Sequence, residues 1–366
     1  MTERIDTEVV IIGGGIVGGS AALFLRRLGV PVVLLEAALC GARAHELWGQ
    51  LPQLIGIDGE YVRSGHLKLA CSDADLDALH AYRAQTRGFG MNLEMLDRAA
   101  LARRFGWLGA HVVGGSFCPE DGHANPRLVS PAFGRAARAL GADVRESTRV
   151  TEAVHDGDRF ILRAGDALEV RSRFLLNCAG AWAGRFAQDF GESVPETSIH
   201  PLMMVTEPLP LFMDVSLGMQ GGGIYARQVA RGNCVIGGGR AVSAGPDYAR
   251  PGREALGPLM ANAARLLPPL RGAQVIRFWT GVEGNMPDHN PVLGPSATVP
   301  GLFHAFGLSG AGFQIGPAVG EVLSELVVNG RSSIPIDAFG IGRYTGAAHG
   351  AVARLGPVRE QTLESP

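Results

Sequence analysis

Cysteine is scarce: Cys40, Cys71, Cys118, Cys178 and Cys234 are the five in 366 residues, with no C-x-x-C among them. An odd, scattered set makes a poor disulfide framework and a poor zinc or iron–sulfur site, so a reducing cytoplasm and no metal centre are expected. An excess of one charge is also lacking. Lys plus Arg number 33 against 35 Asp plus Glu, a net −2, which argues against a generic nucleic-acid footprint. No unbroken apolar run stands out. The stretch Val9 to Leu25 is divided by glycines, preceded by Glu3, Arg4, Asp6 and Glu8, and followed at once by Arg26-Arg27. Neither a cleaved secretion signal nor a direct membrane span is expected from it, and any attachment to an inner membrane would run through partner subunits. Hydrophobic residues at 46% and charged residues at 19% exclude general disorder, and the length suggests about two structural units.

Glycine is abundant, with 52 residues, roughly twice ordinary usage. Without a collagen period, these glycines are expected at tight turns and where backbone approaches something flat or charged. The first cluster is the most informative. Glu8-Val-Val-Ile-Ile reads as a buried strand, Gly13-Gly-Gly15-Ile16-Val17-Gly18 as a turn, and the next residues as a helix. Val30 to Leu35 reads as a second strand ending at Glu36, which lies 23 residues beyond Gly13. Gly13, Gly15 and Gly18 stand in G-x-G-x-x-G register, where the turn, the approach of a pyrophosphate and close helix packing each want glycine. A carboxylate at Glu36 accepts both ribose hydroxyls of an adenosine and repels a 2′-phosphate. The bland alternative is a set of turn glycines before a core helix, and the motif alone does not choose between FAD and NAD.

The same small-residue solution recurs. Arg173 to Asn177 is an apolar strand delivering Cys178-Ala179-Gly180 to a helix start, and Leu302 to Phe306 leads into Gly307-Leu-Ser-Gly310-Ala-Gly312-Phe313-Gln314 before a helix from Pro317 to Asn329. Between them, Ile199 to Arg277 reads as a sheet-rich layer. Helices are expected at Asp73–Arg87, Leu96–Phe105 with Asp97 as N-cap, Pro126–Leu140 and Arg253–Leu267, with a strand at Ala142–Glu146. Glu60 to Ala70 reads as a bent strand around Gly65. His123 and Asn125 are expected in a turn and cap. Tyr225 is read either as a donor over a ring or as a sheet aromatic at the solvent boundary, with Arg227 assigned to the opposite side of its strand.

With these segments in view, the chain resembles the FAD-dependent amino-acid and amine oxidoreductases of the D-amino-acid oxidase family, which includes sarcosine oxidase and glycine oxidase. VVIIGGGIVGGSAALFLRRLG, VVLLE, NCAGAWAG, YARQ with GNCVIGGG, WTGVEGNMPDHNPVLG and LFHAFGLSGAGFQIGPAVGEVL carry the resemblance. It is most similar to the FAD-bearing β subunits of heteromeric dehydrogenases for sarcosine, opines, D-hydroxyproline or glycine. The fold implied is α/β: a Rossmann-like FAD-binding domain from discontinuous segments (1–55, 126–190 and 278–366), with an interleaved α+β substrate domain on a mixed sheet (56–125 and 191–277).

By position, the resemblance puts Gly13, Gly15, Ile16, Val17 and Gly18 on the FAD pyrophosphate, Glu36 on the ribose and Val150 near the adenine. Ala179, Gly180 and Trp182 would line the cofactor, with Gly310, Gly312, Phe313 and Gln314 around the flavin. Tyr225 falls where an aromatic covers the substrate, and Arg240 near a histidine position of sarcosine oxidase. Two departures matter. Gln314 replaces the lysine that helps activate oxygen in monomeric sarcosine oxidase, and Glu283 replaces the carboxylate-clamping arginine of glycine oxidase; Arg227 or Arg240 are substitute clamps. The implied reaction is oxidation of an amino acid or secondary amine by hydride transfer from the α-carbon to flavin N5, giving an imine that water hydrolyses. Electrons are expected to pass to a partner subunit, with an iron–sulfur centre there. Oxidation of a 2-hydroxy acid, or a non-catalytic electron-transfer subunit, are the alternatives. The segment after Glu36 is shorter than the family pattern, which is read as an omitted loop in preference to a trimmed flavin cradle.

Overall fold

In the strand Glu3–Ile12, Val9 and Ile11 enter one apolar cluster while Val10 enters another, so both faces of the strand are covered. A strand apolar on both sides suits a parallel arrangement. It runs parallel to Leu168–Asn177, with Ile12 opposite Asn177. The other edge of Leu168–Asn177 is shared: Phe160–Ala164 pairs antiparallel along its first half, and Leu302–Phe306 parallel near its end. Glu152–His155 and Val292–Pro295 complete a six-stranded sheet. The three parallel strands therefore finish side by side, with Ile12, Asn177 and His304 in register. The computed structural model describes residues 2–28, 41–86, 92–245 and 247–344, so the expected strand ending at Glu36 lies outside the described residues.

Helix Ile16–Arg27 covers this sheet between helices Pro126–Ala139 and Gly312–Asn329, and glycine sets the spacing. A Cβ at Gly19 would stand 2.5 Å from Phe133 Cβ; one at Gly320 would stand 2.2 Å from Ser20 Oγ and 2.5 Å from Ala21 N. These elements belong to a compact unit made of Met1–Tyr61, Ala124–Ile199 and the described chain from Glu283 onward.

The other unit, Val62–His123 with His200–Val282, is built on an eight-stranded sheet. Its order is Val275–Thr280, Pro201–Pro208, Asn233–Arg240, Tyr225–Gln228, Ser216–Met219, His66–Ala70, Gly114–Cys118 and Glu94–Asp97. Ser216–Met219 runs parallel to His66–Ala70; the remaining neighbours are antiparallel. Leu67, Leu69, Phe117, Leu217, Ala226, Ile236 and Met204 cluster on one face with Leu259, Ala263 and Leu266 of helix Arg253–Leu266.

Local signals read well. Asp97 accepts from Ala100 N at 2.7 Å, and Asn125 accepts from Arg127 N at 3.1 Å ahead of Pro126. The last helix starts at Gly312, five residues before Pro317. Gly65 (φ +88°) does bend the chain, but only His66–Ala70 is a strand. Ala142–Glu146 is not a strand: Arg145 bonds Glu3 and Asp143, and Arg138 bonds the Val144 carbonyl, where a sheet neighbour would be needed. Along Tyr225–Gln228, Ala226 and Gln228 are buried while Tyr225 and Arg227 are not, so Tyr225 and Arg227 share a face. The opposite-side expectation had the parity wrong, since strand side chains alternate with a period of two.

Candidate active site

The three adjacent strand ends each open into a small-residue turn. At the first, Gly13 has φ +113°, and a Cβ there would lie 2.3 Å from the Cys178 carbonyl oxygen. No other residue can hold that conformation without strain while lying so close to the neighbouring strand. Gly14 faces open space. Helix Ile16–Arg27 begins at Gly15 with no side-chain cap and no acid in its first turn, and Ile16, Val17 and Gly18 are already buried. Its leading N–H groups and positive dipole end are left for an anion.

The second turn is Cys178-Ala179-Gly180, with Trp182 exposed beyond it. It is braced from beneath. Ala179 N donates to Asn177 Oδ1 at 3.3 Å, and Asn177 Nδ2 donates to Ala183 O at 3.0 Å and lies 3.1 Å from His304 Nδ1. His304 Nε2 is 2.7 Å from Glu192, which also receives Ser296 Oγ at 2.7 Å and Ala297 N at 2.6 Å. A neutral His304 protonated on Nε2 satisfies every bond, accepting from Asn177 and donating to Glu192. Burial pushes the Glu192 carboxyl up, but the bonds from His304 and Ser296 outweigh it and hold it below the usual range.

The third turn repeats the first. Helix Gly312–Asn329 starts at Ala311 without a side-chain cap or a first-turn acid; Gly310 and Gln314 are exposed, and Phe313 is half-buried. The Gln314 carbonyl accepts Trp48 Nε1 at 2.6 Å, and the Trp48 ring lies 4.9 Å from Phe313 and stacks on Tyr61 at 5.9 Å.

Glu283 joins this group through a short strand, Glu283–Asn285, paired with Thr197–Ile199. Burial raises its carboxyl and the Gly310 amide pulls it back. A Cβ on Gly284 would meet Glu196 Oε1 at 2.1 Å and Ala181 Cα at 3.3 Å, so this strand is seated on the 180–182 turn as well. Glu196 accepts the Gly184 amide at 2.7 Å, while its buried Oε1 has no partner among the described residues; burial lifts this carboxyl to about 7. Val150 stands apart, half-buried against the cluster of Val10, Phe160 and Leu175. Glu36 lies outside the described residues.

In the sheet-rich unit, Tyr225 is 40% exposed and its ring lies on Gly237, where a Cβ would meet Cζ at 2.0 Å. Its hydroxyl donates to Met203 Sδ. Arg240 is exposed at the end of its strand, opposite Pro201.

The family model described as FAD dependent oxidoreductase (DAO) matches residues 39–326. The chain belongs to this FAD-dependent oxidoreductase family. Among relatives, an opine oxidase component of Rhizobium meliloti is 26% identical over 334 residues, covering 81% of this chain and 87% of that one. Glycine oxidase of Bacillus subtilis is 24% identical over 364 residues, covering 88% and 93%. The mouse mitochondrial pyruvate dehydrogenase phosphatase regulatory subunit is 26% identical over 370 residues and covers 90% of this chain, which spans only 42% of that longer protein. In solved structures, L-proline dehydrogenase from P. horikoshii shares the fold at TM-score 0.84 and 23% identity, covering 94% of this chain and 99% of that one. Geobacillus kaustophilus glycine oxidase shares it at 0.81 and 20%, covering 92% and 98%.

For this family member the cofactor is FAD, and the described residues fit it. Gly13 has no room for a side chain, Gly14 faces open space, and two helix starts offer amides free of any first-turn acid. Sequence reasoning assigned no role to Trp48, Glu196 or Lys68. Trp48 and Glu196 act through distant partners that no local pattern shows. Lys68 carried a readable signal, as a cation at a strand position between Leu67 and Leu69.

Proposed function

We propose that this chain catalyses FAD-dependent dehydrogenation of an amino acid or secondary amine at the α-carbon, yielding an imine that hydrolyses. The carrying observation is the row of three small-residue turns at adjacent strand ends, two of which open into uncapped helices. In this reading Gly13, Gly15, Ile16, Val17 and Gly18 hold the pyrophosphate by their backbone, Glu36 holds the ribose, and Val150 meets the adenine. Ala179, Gly180, Trp182, Gly310, Gly312, Phe313 and Gln314 surround the flavin. When bound, FAD supplies the two-electron acceptor for the substrate α-C–H bond. The chain's task is to bind the amine neutral and aligned, with water excluded. Glu283, fixed by the Gly310 amide, is assigned to receive a substrate N–H; an acid at this position disfavours a second carboxylate nearby. Tyr225 and Arg240 are assigned to the substrate side.

Electrons pass to an acceptor other than oxygen, in a partner subunit holding an iron–sulfur centre. The relationship to a protein named as one component of a multi-chain opine oxidase and the glutamine at position 314 support this reading. No described helix is long and apolar enough to cross a membrane, and a cytoplasmic location suits the scattered cysteines.

The test is anaerobic mixing of the FAD-loaded chain with amino acids, opines, secondary amines and 2-hydroxy acids. Loss of flavin absorbance with an amine is expected. Bleaching by hydroxy acids alone would overturn the reading, and bleaching only after partner chains are added would make this an electron-transfer subunit.

A further inference from the structure

On the eight-stranded sheet, Leu67 and Leu69 point into the apolar cluster, so Lys68 projects from the other face. Its row can be followed strand by strand. Lys68 is opposite Gly218, Gly218 opposite Tyr225, Tyr225 opposite Gly237, and Gly237 opposite Met203. Lys68 and Tyr225 thus stand two strands apart, roughly 10 Å between backbones, with a glycine between them. The Lys68 stem lies over that glycine, its Cδ 3.7 Å from where a Gly218 Cβ would be, and His66 Nε2 is 3.4 Å from the same point.

The polar groups here leave the lysine without a counter-ion. Ser216 Oγ donates to the Gly65 carbonyl at 3.1 Å and therefore accepts from His66 Nδ1 at 3.0 Å, leaving Nε2 bare. Burial holds His66 below its ordinary range, and Lys68 adds to this against the pull of Asp121. Burial likewise holds the Lys68 ammonium down. Among the described residues Lys68 makes no ion pair. A half-buried ammonium without an anion is costly unless a ligand supplies one.

We propose that Lys68 is the carboxylate-binding cation of the substrate site, its ammonium receiving the carboxylate of an amino-acid substrate on the sheet face it shares with Tyr225. The proposal rests on the amine-oxidation reading only for the identity of the anion. A carboxylate-binding lysine suits a family member in which residue 283 is itself an acid.

The test is calorimetric titration of the FAD-loaded chain with acetate, propionate and benzoate, and with methylammonium as the cationic control, in wild type, Lys68→Met, Lys68→Arg and Arg227→Met. Lys68→Met is expected to weaken carboxylate binding roughly 10- to 100-fold, the loss of one charge-assisted contact. Lys68→Arg should keep most of it, methylammonium binding should not change, and the Lys68→Met melting temperature should hold or rise because an unpaired charge has gone. Unchanged carboxylate affinity in Lys68→Met, or a loss confined to Arg227→Met, would overturn the assignment, as would a wild type that binds none of the three acids. The two readings fail separately. Lysine-dependent carboxylate binding with no amine reducing the flavin sinks the oxidation reading alone. Amine-driven reduction indifferent to Lys68 and to carboxylates sinks this one alone.

Discussion

Replacing Gly13 by alanine asks the first turn to do two things it has no room for. The residue sits at φ +113°, where a side chain costs about 1–3 kcal/mol. The new Cβ would also lie 2.3 Å from the Cys178 carbonyl oxygen and 2.9 Å from its carbon. That carbonyl cannot easily retreat, because Cys178 N is bonded to Ile12 O at 3.1 Å and the two strands are in register up to that point. Overpacking against fixed backbone costs about another 1–3 kcal/mol. A combined loss of roughly 2–6 kcal/mol lowers the melting temperature by about 3–8 °C in a chain of this size. Gly14→Ala is the control, because nothing lies within 4 Å of its Cβ position. Melting followed by flavin fluorescence, with and without added FAD, reads stability, and the flavin-to-protein ratio reads retention. Gly13→Ala should melt early and lose flavin while Gly14→Ala keeps its fold. A Gly13→Ala protein within about 2 °C of wild type and fully loaded would refute the packing argument.

Glu196 predicts a pH effect. Its carboxyl is lifted by burial to about 7, so the unfolded chain sheds this proton first. Stability therefore falls as pH rises from about 4 through 7, by at most about 3 kcal/mol; Glu196→Gln should flatten the melting temperature against pH, and identical profiles would refute the assignment. Gly320→Ala places a Cβ 2.5 Å from Ala21 N, so urea unfolding should show a loss of about 1–3 kcal/mol with little change in slope. Gln314→Lys adds a cation at an exposed first-turn position; reoxidation of the reduced flavin by oxygen should rise roughly tenfold if charge at that position limits it, and an unchanged rate would show that it does not.

What could be read from the sequence was local. The Gly13 turn, the Asp97 cap and the Asn125-Pro126 helix start each lie within a few residues of what they control, and the structure has them as expected. The recurrence of glycine after three strands was also visible, although their adjacency comes only from the parallel pairing of Glu3–Ile12, Leu168–Asn177 and Leu302–Phe306. The Lys68–Gly218–Tyr225–Gly237–Met203 row was not visible, because it joins five strands whose order in the sheet is not their order in the chain. Glu196 carried no local signal, because the groups it meets, the Gly184 amide and Gly284, are 12 and 88 residues away in the chain. Ala142–Glu146 had strand-like residues, yet among the described residues no strand pairs with it, and Arg138 and Arg145 make other bonds there.

A single anaerobic turnover tests the central claim most directly: one equivalent of a primary amino acid or acyclic secondary amine that bleaches the flavin is added, and the products are counted. The account predicts one carbonyl product and one released ammonia or primary amine for each flavin reduced. Flavin reduced without release of any nitrogen product, or reduced only by a 2-hydroxy acid, would contradict it.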